Sequence, residues 1–304
     1  MAQTPVVPRR LANTSKRLVA VFDVASKSTL HRGAARPRTT PSAPADRSET
    51  HLAMYDSYVI CTSPRSGSTL LCKLLAATGV AGNPDSYFHR PSISGWLEDL
   101  GLARDPSASD RELLEAIFRT AIAKGTLDTG IFGLRLQRHS FDFFIKQLLV
   151  LYPGRSNCVE RFQTAFGQTL FVHLTRRDKV AQAVSYVKAR QTGLWHAAPD
   201  GTELERLSPP QEPAYDANEI RTFLEEMTTH DDGWERWFAA SGINPLRITY
   251  EGLSAGPAKT LRAMLDRLGL EREAADGVEP AVAKLADNIN QDWAVRFRSE
   301  QKII

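Results

Sequence analysis

From Tyr58 onward, short apolar runs alternate with segments whose apolar residues recur three and four positions apart. Tyr58-Val59-Ile60-Cys61-Thr62 is uncharged and β-rich, the composition of a buried strand. After a turn, Leu70, Leu71, Leu74 and Leu75 share one face of a predicted helix, which Gly79 ends. Ile131 to Leu136 reads as a strand weakened by Gly133, and Phe141 to Tyr152 as a helix stopped by Pro153-Gly154. Leu170 to Leu174 is another strand, after which Asp178 suits the N-cap of a helix through Ala181, Val184 and Val187. Residues 196–214, with Pro199, Gly201, Pro209, Pro210 and Pro213, form a polar excursion of the length of a lid or acceptor-specificity insertion. The pattern then predicts a helix over Ala217–Thr229, another around Trp234–Phe238, and a strand over Leu246–Tyr250. A last helix has Pro257 at its first position and runs to Gly269. Strands separated by helices imply an α/β fold with a mostly parallel central sheet flanked by helices.

Composition adds boundaries. The 304 residues are 42% hydrophobic and 24% charged, as in an ordinary globular protein. Residues 1–53 differ: they hold Pro5, Pro8, Pro37, Pro41 and Pro44, many Ser and Thr, and scattered arginines, with Val19–Phe22 as the one apolar cluster. This predicts a disordered basic N-terminal extension, with 54–304 as a single domain. The extension is also acid-poor enough to suit a transit peptide, though no amphipathic pattern is sustained, and Met54 is an alternative start. Residues 1–50 carry nine Lys or Arg against three Asp or Glu, so the net charge of +3 leaves the remainder at −3. The body therefore has no surplus of positive charge for nucleic acid, and any basic surface on it is local, suiting a small anion. No apolar run reaches the ~18 residues of a membrane span. Three cysteines, Cys61, Cys72 and Cys158, with no C-x-x-C pair, argue against a disulfide framework or a zinc site and fit the cytoplasm.

The strongest chemical signal is Ser63-Pro64-Arg65-Ser66-Gly67-Ser68-Thr69 between a strand and a helix. Such a turn exposes successive backbone N–H groups at a helix N-terminus, where an anion is stabilised. Gly67 permits close backbone approach, Ser66, Ser68 and Thr69 bring hydroxyls, and Arg65 brings a planar fork for phosphate or sulfate oxygens. The lysine and second glycine of a triphosphatase loop are missing, so a P-loop small-molecule kinase fits less well. A second segment, Thr175 to Tyr186, places Arg176 at a strand end and Ser185 two turns into the next helix.

Together these segments resemble the bacterial sulfotransferases of the trehalose 2-sulfotransferase type, from Tyr58 to about Arg298. The resemblance is carried by Ser63–Thr69, Ala77–Gly82, Arg176–Tyr186, Gln191–Trp195, Ile248–Leu253 and Asp292–Phe297. It implies a P-loop-kinase-like fold and a sulfuryl donor, 3′-phosphoadenosine-5′-phosphosulfate. It further implies that Arg65 to Thr69 hold the 5′-phosphosulfate while Arg176 and Ser185 hold the 3′-phosphate. A sulfuryl group carries less charge than a phosphoryl group, so no metal is expected. The implied acceptor is a hydroxyl of a carbohydrate, glycolipid or small metabolite, with neither nucleic acid nor a transmembrane segment involved and a homodimer left open.

The resemblance breaks at the general base. The family has a glutamate before two aromatics, whereas Gly82-Asn83-Pro84-Asp85-Ser86-Tyr87-Phe88-His89 aligns Ser86 with it. Asp85, one residue early, is the preferred base; His89, whose ordinary titration range suits neutral pH, or a group elsewhere are the other readings. The departure also keeps open a non-catalytic binder of adenosine 3′,5′-bisphosphate. Tyr87, Phe88, His89, Arg135 and Trp195 are the expected acceptor contacts, Arg135 because a lysine lies near this place in the family. His173 reads as a core histidine, His139 and His196 as loop residues, and Trp234 with Trp237 as core.

Overall fold

A computed structural model of the chain describes residues 54–301, and the expectations for 1–53 lie outside them. The first strand, β1 (Ser57–Thr62), is buried at every position, as a parallel strand covered on both faces must be. It turns into α1 (Ser68–Ala77), followed by α2 (Ile93–Leu100), α3 (Asp110–Thr126) and β2 (Phe132–Gln137). Next come α4 (Arg138–Leu151), α5 (Cys158–Phe166), β3 (Thr169–Thr175) and α6 (Lys179–Thr192). The remainder is β4 (Leu194–Ala197), β5 (Glu203–Arg206), α7 (Ala217–Ala240), β6 (Leu246–Thr249), α8 (Tyr250–Ala255), α9 (Pro257–Leu268) and α10 (Asn288–Gln301).

Four strands make a parallel sheet in the order β2-β1-β3-β6. The chain goes to one side of β1 for β2 and to the other for β3. The winding therefore reverses at the C-terminal end of β1, where sheets of this kind open a crevice. Side-chain alternation builds two cores. Val59, Cys61, Leu134, Leu136 and Phe171 pack with α2, α3, α4, α5 and α7, whereas Tyr58, Ile60, Leu170, Val172 and Leu174 pack with α1 and α9. A third cluster joins Val184 and Val187 of α6, Ile220 of α7, and Trp293 and Phe297 of α10.

The α/β class with a mostly parallel sheet agrees with the sequence pattern, and three details differ. The two helices predicted at Ala217–Thr229 and Trp234–Phe238 are one helix, α7, unbroken by Gly233. That glycine is a packing residue: a Cβ there would lie 2.7 Å from Arg138 Nε. The last strand stops at Thr249, whose hydroxyl caps α8 by accepting Gly252 N at 3.2 Å, so Tyr250 opens a helix. The excursion 196–214 is partly ordered, since β4 and β5 pair antiparallel across it.

Candidate active site

The loop between β1 and α1 is held from three directions. Trp234 Nε1 of α7 donates to Thr62 O at 2.9 Å, and Thr62 Oγ1 donates to Leu174 O of β3 at 2.9 Å. Gln182 of α6 donates to Ser63 Oγ at 3.0 Å and Pro64 O at 2.7 Å. Ser63 Oγ donates to Asp231 Oδ1 at 2.9 Å, and Lys179 pairs with the other oxygen of that carboxylate. Arg65 and Gly67 both take left-handed backbone angles, φ 61° and 86°. α1 then begins with no side-chain cap and no acidic residue in its first turn, leaving its amides and dipole directed at whatever anion approaches.

Two guanidinium groups meet beside this turn. Arg65 Nε donates to Ser185 Oγ at 3.0 Å and Nη1 to Trp195 O at 2.6 Å. Arg176 Nη1 reaches Arg65 O at 3.4 Å, and the group stacks 4.5 Å from the Tyr250 ring centroid. Among the described residues neither arginine forms an ion pair, and Arg176 Nε is buried without a partner. Burial, and then the Arg176 charge, push the Arg65 guanidinium down to about 10, so it stays charged at neutral pH. Burial lowers Arg176 likewise. Glu205 acts on Arg65, and Asp178 and Glu251 on Arg176, from beyond ion-pair distance, so two close cations without a paired carboxylate form a site that suits an anion.

On the other side of the loop Arg135 fans out. Nε donates to Ser86 Oγ at 2.6 Å, Nη1 to Thr69 Oγ1 at 2.8 Å and Nη2 to Asp85 Oδ1 at 3.2 Å. Asp85 is fixed by its backbone, since Arg135 N donates to Asp85 O at 3.0 Å, while its side chain is 62% exposed. Thr69 Oγ1 also lies 3.1 Å from His196 Nε2 of β4.

The structure thus gathers Arg65, Ser66, Gly67, Ser68, Thr69, Arg176, Ser185 and Trp195 on one side, and Asp85, Ser86 and Arg135 on the other, with Thr69 joining them. Six sequence expectations require correction. Ser66 is fully buried and its hydroxyl is bonded to Thr62 Oγ1, so it braces the loop from within. Phe88 is fully buried at 4.7–5.0 Å from the rings of Trp96, Phe118 and Phe144, a core residue out of reach of any acceptor. Tyr87 is nearly as buried and spends its hydroxyl on Asn83 O at 2.6 Å. His89 is pushed down to about 4 by burial and by His139, which makes it a weak base at neutral pH. His139 lies in α4 and His196 in β4, neither in a loop, and His196 and Gln182 join the site although neither stood out as a site residue. His173 is buried beside Glu235 and Trp234 is core, as expected.

The chain is 28% identical over 261 residues to the trehalose 2-sulfotransferase of Mycobacterium tuberculosis, covering 80% of this chain and 94% of that one. It is 28% identical over 262 residues to the trehalose 2-sulfotransferase of Mycolicibacterium smegmatis, covering 80% and 95%. Among solved structures, the sulfotransferase domain of the Synechococcus PCC 7002 olefin synthase aligns with a TM-score of 0.40 at 16% identity, over 80% of this chain and 86% of that one. The Stf0 sulphotransferase family pattern matches residues 57–300, from the first residue of β1 into α10. The chain belongs to the Stf0 sulphotransferase family and is an enzyme of sulfuryl transfer.

Proposed function

We propose that this enzyme moves a sulfuryl group from 3′-phosphoadenosine-5′-phosphosulfate to a hydroxyl of a small carbohydrate. The observation that carries the reading is the Arg65–Arg176 pair, two guanidiniums that form no ion pair among the described residues, at the uncapped start of α1. In this reading the loop amides and Arg65 hold the phosphosulfate, while Arg176 and Ser185 hold the 3′-phosphate that separates this donor from ordinary nucleotides. The acceptor oxygen bonds to sulfur as the bond from sulfur to the donor's phosphate oxygen breaks, and the proton passes to Asp85. The exposed Asp85 carboxylate supports this role, because Arg135 ties it to Thr69 of the loop. Trehalose in the names of the two relatives supports a sugar acceptor, whether free or as the head of a glycolipid. The β4–β5 hairpin is proposed as a lid, since Trp195 and His196 touch Arg65 and Thr69. Three free cysteines support a cytoplasmic setting.

The test is incubation with radiolabelled sulfuryl donor and a panel of sugars including trehalose, followed by identification of the labelled product. Arg65→Ala is expected to lower kcat/KM by roughly 10²–10³, the loss seen when a preorganised donor to developing charge is removed. Undiminished transfer by this variant would remove Arg65 from the mechanism.

A further inference from the structure

Three histidines, His89 among the expected acceptor contacts and two that were not, meet at the same end of the sheet. His89 comes from the segment after α1, His139 is the second residue of α4 directly after β2, and His230 lies within α7. The His89 and His139 rings are 4.9 Å apart edge to face, and His139 and His230 are 6.4 Å apart. Each is near in the chain to a group tied to the donor loop, directly or through Arg135. His89 follows Asp85 by four residues, His139 follows Arg135 by four, and His230 adjoins Asp231, which holds Ser63. The cluster therefore borders the loop on the acceptor side.

His139 bonds to the His89 backbone, whereas His230 has an uncommitted nitrogen. His230 Nδ1 is buried with no partner, and its Nε2 lies 3.9 Å from Glu226. The His89 and His139 side chains reach the surface. The edge-to-face contact of these rings is not part of the hydrophobic core, which lies behind Phe88 and Phe144.

We propose that His89, His139 and His230 bind the non-reacting hydroxyls of the acceptor and select a neutral polyhydroxylated compound. This rests on the transfer reading above, whose acceptor it defines. A neutral imidazole offers one N–H donor and one acceptor nitrogen, matching a sugar hydroxyl that both accepts and donates. The ring faces cover C–H surface, as sites for uncharged ligands do. Charge supports the same choice. His89, His139 and His230 are all held below the usual imidazole range by burial, so the cluster is neutral at pH 7. The charged groups facing it are Arg90, Arg135, Arg138, Asp99, Asp231 and Glu226, of both signs.

The experiment is calorimetric binding of trehalose, and of neutral and carboxylated disaccharides, to the full chain saturated with adenosine 3′,5′-bisphosphate. Wild type is expected to bind a neutral disaccharide and to bind its carboxylated counterpart at least tenfold more weakly. His139→Phe and His89→Phe, at surface positions, should each weaken neutral-sugar binding about tenfold, and His139→Asn should recover most of it. Affinity for adenosine 3′,5′-bisphosphate should change less than twofold in all variants, which also reports folding. Unchanged sugar affinity in both Phe variants, or preference for the carboxylated sugar, would overturn the proposal. Sugar binding that depends on the histidines without any labelled product would instead defeat the transfer reading and leave the site standing.

Discussion

Arg65 and Gly67 adopt backbone angles that cost very different amounts. Gly67 at φ 86° is unstrained, whereas Arg65 at φ 61° is held in a region that L side chains rarely visit. The difference follows from what each touches. Arg65 gains Ser185 and Trp195 as partners, while a Cβ on Gly67 would come 2.6 Å from the Tyr250 ring, on which Arg176 stacks. Gly67→Ala is therefore expected to destabilise the fold by about 2 kcal/mol through strain and collision. Because Tyr250 must shift, it should also weaken adenosine 3′,5′-bisphosphate binding at least tenfold, readable by calorimetry. For the base, Asp85→Asn is expected to lower kcat by roughly 10²–10⁴ while leaving affinity for adenosine 3′,5′-bisphosphate within twofold. An unchanged kcat would exclude Asp85. The donor loop was legible because Ser63 to Thr69 are contiguous and lie between a strand and a helix. His196 was not, because it reaches Thr69 from 127 residues away, and nothing local marks that approach. Phe88 shows the opposite failure, since an aromatic's identity does not reveal the direction it points.

Among elements, those with strong local periodicity match the sequence pattern: β1, α1, β3, α6 and α9 are where the apolar spacing puts them. α3 carries equally clear signals, a capping box of Ser109 and Glu112 and buried Leu113, Leu114, Ile117 and Phe118 on one face. α10 carries almost none, burying only Asn290, Trp293, Ala294 and Phe297 of fourteen residues, so tertiary contact defines it. α7 is one helix where the apolar pattern predicts two, and Gly233, between the predicted pair, lies inside it against Arg138. The continuity of α7 matters for the site. One rigid rod carries both Asp231, which holds Ser63 and Lys179, and Trp234, which holds Thr62. Asp231→Ala leaves Lys179 and Ser63 without their shared carboxylate, at an expected cost of about 2–3 kcal/mol in denaturant unfolding. The same variant should raise the Kd for adenosine 3′,5′-bisphosphate, because the loop loses its tie to α7. A stability loss without any change in that Kd would show that α7 supports the fold and not the loop.

At the scale of the molecule, five histidines in the described residues share one property. His89, His139, His173, His196 and His230 are each held below the ordinary imidazole range with burial as the largest cause, His89 and His196 down to about 4. Around His196 the next contributors are Arg65, Arg135 and Lys73, the cations that would face a bound anion. A group whose folded-state pKa is depressed binds protons more readily when unfolded, so the stability it contributes is complete above its unfolded pKa of about 6.5. That contribution is lost as pH falls from there toward about 4. Thermal unfolding without ligand should therefore show Tm falling steadily from pH 6.5 downward, before most carboxylates titrate. Saturating adenosine 3′,5′-bisphosphate should blunt the His196 part of that fall, because its anionic groups would offset the cations that suppress protonation there. His196→Asn should flatten the ligand-dependent difference between the two pH profiles and leave the ligand-free slope carried by the other four. A Tm independent of pH between 6.5 and 5 would mean that these rings are as free to protonate in the folded protein as in the unfolded chain.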